Sequence, residues 1–256
     1  MFDTTHILYM VISAVITAGL LVLAARLCKE QKQKDTVLKA AAVVTVIIHY
    51  SNLWVEYLST GSATVENNHL FTIYPCNVMM WALVVAAFYP KKQGTLFTML
   101  VDFVFWVGII CGSIGIILNA NYDNNPTLLD YDILKGLLSH STMLFGCIYL
   151  AVGGYVKIRV FNVVGSATGL LGFMAIGAIN NGLFEMFGLD PVNSMYLQEG
   201  PLPSMPWITP WLMGIVGIAL LFGGLALYEL RLPKEERWYS KLKIKIEEFN
   251  QSLKGR

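Results

Sequence analysis

Seven stretches of mostly apolar residues recur along this chain, at 6–27, 37–58, 70–89, 95–118, 133–155, 160–184 and 207–230. A bilayer core about 30 Å thick needs about 20 such residues per helix, and each stretch meets that length. Inside hydrocarbon every backbone N–H and C=O must be satisfied within the segment, which continuous helices achieve. A transmembrane β-barrel would instead show alternating segments of roughly ten residues, and none occur here. The chain is therefore expected to be an all-α polytopic membrane protein, a seven-transmembrane-helix bundle. Composition agrees, with 14% charged residues and a mean hydropathy of +0.58, where ordinary soluble domains carry about 25% charged residues. A water-soluble enzyme and a disordered chain are excluded. A net charge of +1 offers no basic field for nucleic acid. Cys28, Cys76, Cys111 and Cys147 lack CxxC or Cys/His ligand spacing, so neither a disulfide frame nor a zinc knuckle is indicated.

The direction of the spans follows from the basic residues. Arg26, Lys29, Lys32, Lys34 and Lys39 surround the first connection, Lys91 and Lys92 the third, Lys157 and Arg159 the fifth, and the rest follow Leu230. Of the 18 basic residues, Lys135 alone falls on the other side. The expectation is an N-terminus outside and a C-terminus inside. The leader before the first span has no Lys or Arg, so that span reads as a retained helix, not a cleaved signal. Two units are expected: a transmembrane domain at 1–230 and a cytoplasmic basic amphipathic tail at 231–256. In the tail Trp238, Leu242, Ile246, Phe249 and Leu253 recur at helical spacing beside Lys241, Lys245 and Lys254, a pattern suited to an anionic leaflet.

Small residues at Gly108–Gly112 and Gly165–Gly169 predict close helix approaches. The loop at 185–206 contains Pro191, Pro201, Pro203 and Pro206 with Met195 and Tyr196, which reads equally as a semi-rigid cap or as a plain linker.

Ionisable and polar groups inside spans are expensive, so each is a functional candidate. On the second span His49, Asn52 and Glu56 share a face. The third carries Tyr74-Pro75-Cys76-Asn77, where Pro75 is expected to bend the helix. The fifth carries Ser139-His140-Ser141, and the sixth exits through Asn180-Asn181. All lie in the half of the bilayer nearer the N-terminus, as a cavity open to the outer side would require. Cys28, Cys111 and Cys147 read as small hydrophobes, and Asp102 as a structural, hydrogen-bonded acid. Asn180-Asn181 followed by Gly182 could equally mark the end of a helix.

At Tyr74-Pro75-Cys76-Asn77, at Ser139-His140-Ser141, and along Asn180-Asn181…Asp190-Pro191…Gly200-Pro201…Pro206-Trp207, the chain resembles a known family. It is similar to the YwaF-like bacterial integral membrane proteins and their animal relative transmembrane protein 164, a cysteine-dependent acyltransferase that remodels ether phospholipids. The resemblance implies a multi-pass protein of a cell membrane, a bacterial plasma membrane foremost, acting on a phospholipid or other lipid. It matches Cys76 to the acyl-accepting cysteine and His140 to a histidine of the fifth span. Where family members carry a histidine close after the proline, this chain has Asn77.

The implied chemistry is attack of a Cys76 thiolate on an ester carbonyl to form a thioester, which a lyso-lipid hydroxyl then resolves. A thiol of pKa about 8.5 needs a base for this, supplied by His140 or else His49. Asn77 with Asn180 or Asn181 would donate to the oxyanion. No cofactor is required. A different class fits the same topology: a seven-helix sensor or ligand-binding protein without chemistry. A zinc hydrolase is the weakest reading, because no HxxxH or HExxH pair exists and no metal set is expected.

Overall fold

The computed structural model describes residues 2–61, 73–119, 122, 127–189, 191–200, 207 and 209–254; within these, the side chains of 52, 53, 56, 59, 60, 249, 250 and 252–254 are not described. Among the described residues the regular structure is all helical. The α-helices are α1 (Thr4–Leu27), α2 (Gln31–Thr60), α3 (Pro75–Phe88), α4 (Thr95–Ile117), α5 (Tyr131–Val152), α6 (Asn162–Met186), α7 (Pro210–Glu229) and α8 (Trp238–Lys254). Two single-turn 3₁₀ segments, Ser194–Tyr196 and Lys234–Glu236, follow α6 and α7.

Local chemistry sets the helix starts. Asp3 accepts from the His6 amide at 2.8 Å, Asp130 accepts from the amides of Asp132 and Ile133, and Thr209 accepts from the Leu212 amide. Side-chain oxygens thereby satisfy first-turn donors that lack intrahelical acceptors. Glu30 and Gln33 form a reciprocal capping box, which starts α2 six residues before the expected span at Val37. α6 runs through Asn180-Asn181-Gly182 and stops only at Phe187 and Gly188, whose φ of 63° ends the helix. The pair Asn180-Asn181 is therefore no helix-end signal.

Among the described residues five helices, α1, α4, α5, α6 and α7, are long and apolar enough to cross a membrane. α3 is apolar but has 14 residues, about 21 Å of helix and short of the hydrocarbon thickness. Its start corrects the expectation of a kinked span over 70–89. Pro75 occupies the first helical position, preceded by the extended residue Tyr74, so it starts the helix. A ring without N–H is tolerated there because that donor would be unsatisfied anyway.

α4 and α5 form the centre of the packing. α4 lies against α3, α5 and α6, and α5 against α2 and α4. The close approaches are made at glycines. A Cβ at Gly108 would strike Cys147, one at Gly112 would lie 3.1 Å from Leu144 Cβ, and one at Gly165 would lie 2.9 Å from the Met99 carbonyl and the Asp102 Cβ. α1 and α7 are peripheral: Val15, Ile16, Leu20, Ile215, Leu220 and Leu227 are exposed, as hydrocarbon-facing surfaces are.

Polar contacts define two ends. At the N-terminal end the His6 Nε2 lies 2.8 Å from the Ile116 carbonyl, the Tyr122 hydroxyl donates to Asp3, Tyr9 and Ser13 meet Ser141, and the Tyr131 hydroxyl donates to Ser51. At the opposite end, called the tail end, Asp35 is hydrogen-bonded to Tyr155 and paired with Lys92 at 3.0 Å. There Glu229 accepts from the amides of Val160 at 2.7 Å and Trp238 at 2.6 Å, fastening α8 to the bundle.

Candidate active site

The site is assembled from the start of α3, the last turns of α4, the first half of α5 and the 3₁₀ turn after α6. Cys76 is the second residue of α3 and is half-buried. Tyr74 supplies no side-chain cap, so the first-turn amides keep their donor capacity and the positive end of the helix dipole faces the thiol. An anion formed at this point, thiolate or oxyanion, is favoured by both.

The Cys76 thiol donates to the Cys111 carbonyl oxygen at 3.9 Å, and the His140 imidazole lies close enough to the sulfur to interact with it electrostatically. His140 Nδ1 lies 2.7 Å from the Gly136 carbonyl oxygen, four residues back on α5. A carbonyl can only accept, so Nδ1 carries the hydrogen in the neutral ring and Nε2 keeps its lone pair for the thiol. The ring fits because α4 has no side chain at Gly115: a Cβ there would collide with Cδ2 and Nε2 of His140. A nucleophile, a base oriented through its second nitrogen, and a helix N-terminus thus meet at one place.

The other candidates fall as follows. Asn77 is half-buried beside Cys76 in the first turn. His49 lies on α2, edge-on to Tyr50, whose hydroxyl accepts from Trp81 of α3 at 3.0 Å. Asn52 and Glu56 share that helix, and their side chains lie outside the described residues. Asn180 and Asn181 are engaged differently from the expected oxyanion role. Asn180 donates to the Ser194 hydroxyl at 2.8 Å, while Asn181 accepts from the Ser194 amide at 2.8 Å and donates to its carbonyl. Their amides are spent on holding the turn after α6. Asp102 accepts from Asn162 at 2.7 Å and is buried in the α4–α6 contact, as a structural acid would be.

That turn is a cap folded into the protein. Ser194 and Met195 are buried, and Met195 fills the space left by Gly177. The Met195 amide donates to the Ile73 carbonyl at 2.6 Å, and the Ile73 amide reaches the Ser194 hydroxyl at 3.4 Å. Two irregular segments so satisfy each other's backbone where they are enclosed by protein, the condition under which such segments persist at membrane depth. Met195 and Tyr196 hold φ of 55° and 56°, a left-handed conformation costing side-chain-bearing residues about 1–3 kcal/mol each and kept only where neighbours enforce it. The Tyr196 ring lies 5.0 Å from that of Tyr74, two residues before Cys76.

A model of the TMEM164 family matches residues 1–228. The chain belongs to the TMEM164 family. It is a family membrane protein with several apolar helices, and no curated protein and no solved structure matches it. The matched region of this TMEM164-family member contains every residue of the Cys76–His140 site and stops short of α8.

Cys111, Ser194, Tyr196, Gly115 and Gly136 are site residues that the sequence reading did not assign. Gly115 continues the Gly108–Gly112 spacing by three residues and was open to detection on that ground. Gly136 acts from one turn back on the same helix as His140, while Cys111, Ser194 and Tyr196 owe their position to contacts between segments distant in the chain.

Proposed function

We propose that this TMEM164-family protein is a seven-span acyltransferase, N-terminus outside and C-terminus inside, that moves acyl groups between phospholipids through a thioester on Cys76. The observation that carries the reading is the juxtaposition of the Cys76 thiol with a His140 imidazole whose Nδ1 is fixed by the Gly136 carbonyl. Supporting the orientation, the end bearing Cys28, Asp35, Lys92, Arg159 and Glu229 is the end where basic residues concentrate. A kinship with the YwaF-like bacterial proteins, and a bacterial plasma membrane as the location, belong to the same proposal.

In the first half-reaction His140 Nε2 takes the thiol proton as Cys76 Sγ adds to the ester carbonyl of a phospholipid. The oxyanion faces the first-turn amides of α3 and the Asn77 side chain, and one such donor is worth about 3–4 kcal/mol. The C–O bond breaks, and His140 returns its proton to the departing lyso-lipid oxygen. In the second half a lyso-lipid hydroxyl gives its proton to Nε2, adds to the thioester carbonyl and expels the Cys76 thiolate, which is reprotonated. A base in this role contributes about 10²–10⁴-fold. The cycle needs no cofactor.

The test supplies purified protein in lipid nanodiscs with acyl-labelled phospholipid and looks for hydroxylamine-sensitive label on the chain. Label on wild type and none on Cys76→Ala is the expected result. Label that survives Cys76→Ala removes the thioester from the mechanism, and no label with no lipid turnover favours the non-enzymatic ligand-binding reading.

A further inference from the structure

An acyl thioester in a membrane has two competing acceptors, a lyso-lipid hydroxyl and water. Both break the same C–S bond, form a C–O bond and pass one proton through His140 Nε2 back to the Cys76 sulfur; they differ only in what reaches the carbonyl. Whatever excludes water from Cys76 therefore decides between transfer and hydrolysis.

The 3₁₀ turn Ser194–Tyr196 is built for that exclusion. Its backbone is tied at both amide and carbonyl of Ser194 by Asn181, its hydroxyl is held by Asn180, and its next amide is bonded to Ile73, three residues before Cys76. The left-handed backbone at Met195 and Tyr196 sends one side chain each way. Met195 goes into the gap at Gly177, and the Tyr196 ring goes against Tyr74, which stands two residues before Cys76. The two tyrosines come from different segments: Tyr74 leads into α3, and Tyr196 belongs to the connection from α6.

We infer that the Tyr74–Tyr196 ring pair is the water-excluding roof of the Cys76 site, and that Tyr196 is a specificity-determining residue directing the acyl group to a lyso-lipid hydroxyl and away from water. The inference rests on the acyl-thioester reading for its product ratio, and on geometry alone for the access of water to the thiol. Both are measurable separately.

The experiment uses the full chain in nanodiscs, as wild type, Tyr196→Ala, Tyr196→Phe and Ser194→Ala. Two quantities are read: the ratio of free fatty acid to transferred acyl product, and the rate at which a charged, water-soluble maleimide modifies Cys76, taken as the difference from Cys76→Ala. With Tyr196→Ala, both the ratio and the maleimide rate rise on the order of tenfold, because water and the reagent reach a site that closure had kept dry. Tyr196→Phe, which keeps the ring, restores both. Ser194→Ala removes one tie of the turn, keeps the Asn181 bonds that fold it, and raises both by a smaller factor. An unchanged ratio and an unchanged maleimide rate in Tyr196→Ala and Ser194→Ala overturn the roof. If wild type forms no thioester, the acyltransferase reading falls by itself, and the maleimide rates still decide whether Tyr196 covers Cys76.

Discussion

The two ends of the bundle use polar residues in opposite ways. At the tail end buried or half-buried carboxylates are engaged: Glu229 takes two backbone amides, Asp102 takes the Asn162 side-chain amide, and Asp35 accepts from Tyr155 and Gln31 and is paired with Lys92. At the N-terminal end the central pair is a thiol against an imidazole with one nitrogen committed to the Gly136 carbonyl and one available. Saturated networks rigidify a fold, since every donor and acceptor loses by moving. A base with a free lone pair beside a nucleophile gains nothing for stability, so its place is explained by chemistry. The same contrast holds for the backbone. Strain is concentrated at Met195 and Tyr196, and the clamps that enforce it are neutral amides.

If this contrast is right, substitutions at the two ends separate activity from stability. Cys76→Ala abolishes thioester formation with little change in thermal unfolding, and His140→Ala lowers turnover by about 10²–10⁴-fold, both read from acyl-label transfer. Loss of folding in either variant with no specific loss of transfer breaks the contrast. Gly115→Ala places a Cβ against the His140 ring and displaces the base. A misplacement of this size lowers turnover by about 10²-fold while the thiol remains present for alkylation.

At the tail end the order reverses. Glu229→Ala leaves the Val160 and Trp238 amides without a partner, at about 1–3 kcal/mol each. It lowers the unfolding temperature and speeds proteolysis of α8, with thioester formation unchanged; a parallel loss of transfer would show that the two ends are coupled. The smallest effect concerns pH. Burial disfavours the Asp35 carboxylate, but hydrogen bonds from Tyr155, Lys92 and Gln31 outweigh it and hold its pKa below the ordinary carboxylate value. A depressed pKa contributes stability that is complete above the unfolded-state value of about 3.9 and is lost as pH falls through the lower folded value. Unfolding temperatures therefore fall below about pH 4, and Asp35→Asn removes part of that fall.

The helical class was legible because hydrocarbon demands long apolar runs, and α4, α5, α6 and α7 fall where those runs lie. The third run misled at its start. Hydropathy counts 70–74 as span, but Pro75 suits a first helical position better than a mid-helix one, and Ile73 pairs with Ser194 and Met195 instead. Apolar character reports burial, whether the backbone there is helical or enclosed in another form. Cys76 and His140 were singled out as a proline-adjacent cysteine and an intramembrane histidine. Asn180 and Asn181 were singled out for the same reason, polarity in a span, and serve a different end.

From the chain alone came the residue types able to do chemistry, the apolar lengths of the spans and the small residues that permit close packing, because each depends on local composition and spacing. The meeting of Cys76 with His140, the turning of Asn180 and Asn181 toward Ser194, and the approach of the Tyr196 ring to Tyr74 required the fold. Each joins segments more than ten residues apart, and which of several compatible partners a polar side chain takes is decided by the packing of the helices that bear it.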